Sequence, residues 1–136
     1  SSPEKEVKTD WVSGAFFMVR KEVIEKVGGL DERFFMYLEE MEWCYRIKKN
    51  GFSVYFYPEA KVTHVGHGSG NRSTAILHIY KSLPYFYKKH ANSVQYSIVK
   101  LLLVMKASIA IVVGLFTHNT YLTSTYRKAL TLSLQM

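Results

Sequence analysis

The stretch LEEMEWCYRIKKNG (residues 38–51) predicts an amphipathic helix from about residue 38 to residue 50. At 100° per residue, its apolar side chains share one broad arc of the helix surface. They are Leu38, Met41, Cys44, Tyr45 and Ile47. Gly51 follows in the C-terminal position that glycine favours, because glycine tolerates a left-handed backbone there.

The glutamates of this helix differ in direction. Glu39, Glu42 and Arg46 are expected on the side opposite the apolar arc, with Glu42 and Arg46 forming an ordinary surface ion pair. Glu40 instead projects between Cys44 and Ile47 in the first turn, where the helix dipole and free amides can hold an anion. A partly buried carboxylate suits a general base. The alternative is that three acids at a helix start simply match the dipole.

The flanking sequence predicts short strands and helices. Residues 1–10 read as a loose lead-in, and VSGAFFMVR (12–20) as a buried strand. KEVIEKVGG (21–29) reads as a brief helix stopped by its two glycines, and SVYFYP (53–58) and KVTHV (61–65) as strands. Helices are then expected over 73–90 with a kink at Pro84, over 94–116, and over 119–135.

His64 is a candidate metal ligand. Period-2 alternation places it on the same strand face as Val62, at the strand end, before a glycine-rich loop that contains His67. A neutral imidazole is a common ligand of divalent metals, although a lone histidine at a strand end is usually structural. The chain has no Cys/His cluster and no Asp-x-Asp pair, so other ligands would have to come from elsewhere.

Composition and charge bound the possible functions. The 136 residues amount to one domain, and the single cysteine, Cys44, excludes an internal disulfide. All eleven acids lie between Glu4 and Glu59, whereas nine bases are spread from Lys61 to Lys128. Such a surface attracts phosphates of nucleic acid, anionic lipid or a sugar nucleotide. Nucleic acid is disfavoured because the bases are not grouped in any known nucleic-acid-binding module.

The apolar tail raises the question of a membrane. YSIVKLLLVMKASIAIVVGLF (96–116) is about as long as a bilayer crossing requires, but Lys106 interrupts it and the remaining run, 107–116, is too short to span. We therefore expect helices that lie on an anionic, cytoplasmic membrane face. The alternative is a soluble core helix, covered by a missing part of the protein or by a second copy in a homo-oligomer.

Four motifs carry a family resemblance: WVSGA (11–15), GGLDERFFMYLEEMEWCYR (28–46), PEA (58–60) and VTH (62–64). In this order and spacing, residues 9–90 resemble the C-terminal half of the GT-A catalytic domain of inverting family 2 glycosyltransferases, particularly bacterial rhamnosyltransferases and galactofuranosyltransferase-like enzymes. The resemblance implies an α/β fold class, with the C-terminal portion of a GT-A mixed sheet and flanking helices in residues 1–92. A helical, membrane-associating tail would follow in residues 93–136.

The resemblance also implies the site residues. The family's Glu-Asp pair falls on Glu39 and Glu40, which makes Glu40 the catalytic base, and His64 falls on the histidine that joins the metal. Trp11, Ser13 and Gly14 lie where the family shapes its acceptor pocket, Asp31 borders the same cleft, and Arg72 could meet phosphate oxygens. A core tryptophan, a turn aspartate and a solvated arginine are the plainer interpretations. The usual aspartate is glutamate here at positions 40 and 42, and the usual leucine is Trp43.

The implied activity is inverting transfer of a sugar from a nucleotide-diphosphate sugar to a glycan or lipid-linked acceptor, in cell-surface polysaccharide synthesis. Mg²⁺ or Mn²⁺ would assist, with its main carboxylate ligands outside this chain. The family's nucleotide-binding half and its Asp-x-Asp motif are expected before residue 1, so the isolated chain is expected to be inactive. The alternative is a non-catalytic, sugar- or membrane-binding remnant of such an enzyme.

Overall fold

The computed structural model describes residues 4–64 and 71–135. The chain divides between Ser69 and Gly70 into two compact units, each with its own apolar core. The predicted domain boundary at residues 92 and 93 falls inside the second unit. The assignment of residues 1–92 to catalysis and 93–136 to a membrane tail stays a prediction.

The first unit contains two short strands and two helices. They are β1 (Val7–Thr9), α1 (Lys21–Val27), α2 (Glu39–Lys49) and β2 (Val54–Phe56). β1 and β2 pair antiparallel, with Val7 opposite Phe56 and Thr9 opposite Val54. The core residues of this unit are Val23, Cys44, Ile47 and Val54. This small sheet and its flanking helices are consistent with part of the expected fold.

The structure confirms both predicted helices of this unit and the strand at β2. Gly51 ends α2 with a φ of 86°, the left-handed backbone that glycine accepts without a steric cost. The lead-in prediction was wrong, because residues 7–9 form β1.

Two predicted strands are absent from the described residues. Residues 12–20 contain a turn at 14–15 and no strand, and residues 61–64 form no strand. Phe17 and Val19 pack on the core while Phe16 and Met18 face outward, so alternation is present without a neighbouring strand to pair with. Residues 65–70, including His67, lie outside the described residues.

The second unit consists of three helices. They are α3 (Arg72–His90), α4 (Ser93–Phe116) and α5 (Thr120–Gln135), each within two residues of the predicted bounds. Asparagine side chains cap the helix starts: Asn71 accepts from the Thr74 amide at 3.0 Å, and Asn92 from the Gln95 amide at 2.9 Å. α3 continues through Pro84.

The core of this unit is built from one large residue and several small ones. Tyr80, Leu103, Ala107 and Ala129 are buried together. The Tyr80 hydroxyl donates to the carbonyl of Leu103 at 3.2 Å, and burial raises the pKa of Tyr80 to about 12. Thr125 and Ser133, on the same face of α5 as Ala129, are also buried, so α5 packs closely through small side chains.

Gly114 fixes the approach of α4 to α5, and replacing it should destabilise the second unit. A Cβ at this position would lie 2.9 Å from the Leu122 Cβ and 3.0 Å from the backbone nitrogen of Thr123. We expect Gly114→Ala to lower the free energy of unfolding by about 1–3 kcal/mol, because the two helices must separate. Chemical denaturation followed by circular dichroism measures this loss. Gly29→Ala is the matched control, since a Cβ there meets no atom within 4 Å; equal losses would contradict the packing argument.

Candidate active site

The entry to α2 is an unusual turn. Tyr37 and Leu38 both have left-handed backbones, with φ of 63° and 76°. Such conformations cost about 1–3 kcal/mol each in residues other than glycine and collect at functional sites. The Leu38 side chain makes no capping hydrogen bond, and the first turn of α2 carries three acidic side chains, those of Glu39, Glu40 and Glu42. The turn places Glu39 and Glu40 at the very start of the helix.

Glu40 is partly buried and is held by the segment that precedes α1. Its Oε1 accepts a long hydrogen bond from the backbone N–H of Gly14 at 3.5 Å. A Cβ on Gly14 would lie 3.8 Å from the Glu40 Cβ, so the backbone turn at residue 14 rests directly against this side chain. The other oxygen, Oε2, is buried and has no hydrogen-bond partner among the described residues. Glu40 therefore presents one oriented oxygen and one acceptor without a donor.

Glu39 lies beside Glu40 in the same environment. Its Oε2 is likewise buried without a partner within the described ranges. Burial raises the pKa of Glu39, a hydrogen bond from its backbone lowers it to a smaller extent, and the negative charge of the neighbouring Glu40 raises it further.

The raised pKa of Glu39 makes the stability of the protein depend on pH. The folded protein binds this proton more tightly than the unfolded chain, whose glutamates titrate near 4.5. The stabilisation is complete below that pH and is lost as the pH rises through the raised pKa. We expect Glu39→Gln, which cannot lose a proton, to gain stability relative to the unmodified protein as the pH rises above about 4.5.

Urea unfolding at several pH values across this window tests the prediction. Glu25→Gln is the control, because the Glu25 side chain is 65 % exposed and forms an exposed ion pair with Lys21 at 3.6 Å. A difference between Glu39→Gln and the unmodified protein that stays constant with pH would contradict the assignment.

Glu42 and Arg46 form a buried ion pair, so the prediction of a surface ion pair was wrong. The Glu42 side chain is 0 % exposed, and Arg46 Nε donates to both of its carboxylate oxygens at 2.9 Å. The guanidinium also donates to the carbonyls of Val27 at 2.7 Å and Gly29 at 2.6 Å. These contacts tie α2 to the end of α1.

Trp43, which stands where the family of the resemblance usually has leucine, adds a further contact between α2 and the end of α1. Its Nε1 donates to the carbonyl of Gly28 at 2.8 Å, and its ring stacks on Phe17 with centroids 5.3 Å apart. Together Trp43 and Arg46 satisfy three consecutive carbonyls that the end of α1 leaves without helical partners. The side of α2 that the helical wheel assigned to solvent is therefore occupied by α1.

Of the other predicted residues, Ser13 lies next to the Gly14 contact and Asp31 takes part in a turn. The Ser13 hydroxyl accepts from the amide of Ala15 at 3.4 Å, within the turn that carries Gly14. Trp11 is 49 % exposed. The Asp31 carboxylate accepts from the amide of Arg33 at 3.0 Å, the turn role that was the plainer interpretation. The structure thus brings Gly14 to Glu40, with Ser13 adjacent.

The two remaining predicted residues, His64 and Arg72, lie at or next to the ends of the described ranges. His64 is exposed and ends the first described range. Arg72 is exposed and begins α3, in the second unit. Within residues 4–64 and 71–135, no group of three His, Cys, Asp or Glu side chains is placed to hold a metal. These residues do not form a complete metal site by themselves.

The first unit also has an open cavity of about 1420 Å³, lined mainly by residues 12–13, 15–20 and 52–62. Its walls include Ser13 and the half-exposed rings of Phe16, Tyr55 and Tyr57. Glu39, Glu40 and His64 are not among its lining residues, so this cavity does not coincide with the carboxylate pair.

Comparison with known proteins identifies the family of this chain. The sequence profile described as "Glycosyltransferase like family 2" matches residues 2–81, which include every predicted site residue from Trp11 to Arg72. The chain belongs to glycosyltransferase-like family 2. The match confirms the resemblance seen in the motifs. No solved structure matches the chain significantly.

The similar curated proteins are rhamnosyltransferases and a hexosyltransferase. N-acetylglucosaminyl-diphospho-decaprenol L-rhamnosyltransferase of Mycobacterium tuberculosis is 32 % identical over 84 residues, 61 % of this chain and 27 % of its own length. Rhamnosyltransferase WbbL of Escherichia coli is 34 % identical over 64 residues, 47 % of this chain and 24 % of its own. Low-salt glycan biosynthesis hexosyltransferase Agl10 of Haloferax volcanii is 40 % identical over 45 residues, 33 % of this chain and 15 % of its own. The chain thus spans about a quarter or less of the length of these relatives.

Proposed function

We propose that this family 2 chain supplies the catalytic base of a glycosyltransferase that moves a rhamnosyl or other hexosyl group from a nucleotide-diphosphate sugar, with inversion. One observation carries the proposal: Glu40 stands partly buried in the first turn of α2, at the position of the family's base, and its Oε1 is oriented by the Gly14 amide. A carboxylate held in this way can accept the proton of an acceptor hydroxyl.

The reaction follows from this arrangement as a single displacement. The acceptor oxygen forms a bond to the anomeric carbon while the bond from that carbon to the nucleoside diphosphate breaks, and the electron pair leaves with the phosphate oxygen. The hydroxyl proton passes to the Glu40 carboxylate. Attack opposite the leaving group inverts the sugar configuration. Gly14 holds the carboxylate through Oε1, so the reacting oxygen keeps its direction.

The remaining predicted residues take supporting roles in this proposal. Glu39 lies beside the base, while Trp11 offers an exposed aromatic face and Ser13 a hydroxyl on the acceptor side. Asp31 borders the cleft through its turn. Arg72 is the candidate phosphate contact and His64 the candidate ligand of Mg²⁺ or Mn²⁺, with the carboxylate ligands outside this chain.

The acceptor is proposed to be a glycan or a lipid-linked sugar. The name of the Mycobacterium tuberculosis relative specifies a diphospho-decaprenol acceptor, and that of a Shigella flexneri relative, 39 % identical over 62 residues, a dTDP-rhamnosyl donor. We place the enzyme on the cytoplasmic face of the cell membrane, in polysaccharide synthesis. The first unit would belong to a GT-A fold whose nucleotide-binding part lies outside residues 1–136.

Sugar transfer by the complete enzyme tests this proposal. Radiolabelled nucleotide-diphosphate sugar and a lipid-linked acceptor are incubated with the unmodified enzyme and with Glu40→Gln. Loss of transfer in the variant is expected. If neither protein transfers sugar but both bind the acceptor, the chain is the non-catalytic remnant and the assignment of Glu40 fails.

A further inference from the structure

The outward surface of α4 carries a continuous apolar stripe. Nine of its large apolar side chains are about half exposed or more, from 49 % at Met105 to 84 % at Phe116. At 100° per residue, all of them except Leu115 fall within an arc of about 100°. The eight side chains of this stripe are Val94, Ile98, Leu101, Leu102, Met105, Ile109, Val112 and Phe116. No charged residue lies among them.

The stripe runs the whole length of the helix. α4 has 24 residues without interruption, which corresponds to about 36 Å. Its opposite side carries Leu103, Ala107 and Gly114, which are buried within the second unit. The packed side of α4 thus carries one leucine and two small residues, whereas the large apolar side chains of the stripe are exposed.

The charges of the second unit decide which partner fits this stripe. Residues 71–136 contain eight Lys or Arg and no Asp or Glu. Lys106 follows the stripe at its border and is exposed, so its ammonium can reach outward while its stem lies along the apolar surface. A protein surface would need its own acids to neutralise this excess, whereas an anionic membrane offers apolar chains and negative headgroups together.

Packing within the second unit excludes a simple crossing of the bilayer. α4 is long and apolar enough to span a membrane by length and composition. It packs against α3 and α5, however, and those helices carry exposed bases that include Lys81, Lys88 and Arg127. Moving those charges into hydrocarbon costs about 2.5–3.5 kcal/mol each even on insertion scales.

We infer that the α4 stripe is a membrane-docking surface, on which the second unit lies with α4 parallel to an anionic bilayer and its stripe among the upper acyl chains. This inference rests on the proposed function only for its biological setting, since a membrane-bound acceptor requires the enzyme at the bilayer. The stripe and the carboxylate pair consist of different residues, so each can be tested by its own variants.

Vesicle binding by the chain tests the docking surface. Co-sedimentation is measured with vesicles of phosphatidylcholine alone and with added phosphatidylglycerol. We expect binding to the anionic vesicles and a loss of about tenfold or more in Leu102→Glu/Ile109→Glu, because two apolar side chains lose their burial in lipid. Ser124→Glu is the matched control on an exposed position of α5, and circular dichroism confirms that each variant keeps its helices.

A fluorescent label reports the depth directly. Cys44 is buried, so a cysteine introduced as Ile109→Cys can be labelled selectively with an environment-sensitive dye. We expect a blue shift on adding anionic vesicles for the label at 109 and none for one at Ser124→Cys. Three results would overturn the inference: a label at 109 already shielded in buffer, which indicates a second copy; undiminished vesicle binding by the double variant; and no binding at all.

The two proposals fail in different ways. Glu40→Gln should bind vesicles like the unmodified chain while losing transfer. A double stripe variant that transfers sugar to a soluble acceptor but no longer binds vesicles would support both, whereas full transfer by Glu40→Gln would remove the catalytic proposal and leave the docking surface intact.

Discussion

Replacing Glu40 by glutamine should lower kcat for sugar transfer by about 10²–10⁴-fold, the usual contribution of a positioned general base. Glutamine keeps the shape of the side chain and can still accept from the Gly14 amide through its carbonyl oxygen. It cannot take the proton of the acceptor hydroxyl. The KM for the nucleotide sugar should change little, because the donor is not bound through this carboxylate in the proposed reaction.

Steady-state kinetics of the complete enzyme checks this expectation. Glu40→Asp is the informative companion, since aspartate is the residue usual in the family at this position. The shorter side chain moves the oxygens by about a bond length, and misplacement of about 1 Å can cost about a hundredfold in rate. A retained fraction of activity in Glu40→Asp, above that of Glu40→Gln, indicates that proton transfer and not shape is the function of this residue.

Glu25→Gln controls for the loss of a negative charge, because its side chain is exposed and lies on α1. The assignment of Glu40 fails if Glu40→Gln keeps more than about a tenth of the normal kcat, a loss too small for a general base.

The helices were predictable because each has local signals. The apolar periodicity and Gly51 predicted α2, and the asparagines before α3 and α4 supply caps that hold each helix start. The sheet was less predictable. β1 has only three residues in a charged lead-in, and its strand character depends on pairing with β2, which lies about 47 positions later in the chain. A pattern within a few residues cannot show that a segment pairs with a strand so far away in the sequence.

The candidate site was also predictable only in part, because local periodicity gives the direction of a side chain but not its partners. The helical wheel placed Glu40 towards the apolar side, and the structure buries one of its oxygens. The Gly14 amide could not be found by periodicity, because a backbone donor leaves no trace in residue type. Glu42 was misjudged because a wheel treats one helix alone, whereas α1 packs against the side assigned to solvent. The sequence signal for this contact is the glycine pair at the end of α1 together with the donors Trp43 and Arg46 on α2. Carbonyls at a helix end need such side-chain donors.

Replacing Glu42 by alanine should destabilise the first unit more than any other single change considered, by about 3–5 kcal/mol, because it leaves the charge of Arg46 uncompensated in a largely buried position. Glu25→Ala on α1, which breaks an exposed pair at 3.6 Å, should cost no more than about 0.5 kcal/mol. Thermal and urea unfolding of both variants measures the contrast. A loss of unfolding free energy below about 1 kcal/mol in Glu42→Ala is typical of surface ion pairs. It would contradict the conclusion that Glu42 and Arg46 form a buried pair that stabilises the first unit.

A double variant that removes both charges of the Glu42–Arg46 pair tests the further hydrogen bonds of Arg46. Glu42→Leu combined with Arg46→Met removes both charges together, which is often neutral for a buried ion pair. Here it should recover only part of the stability, because Arg46 also donates to the carbonyls of Val27 and Gly29. Each buried acceptor left unpaired costs about 1–3 kcal/mol. Full recovery in the double variant would show that the charge pair alone matters; partial recovery shows that Arg46 caps α1, and through it fixes the helix on which Glu40 stands.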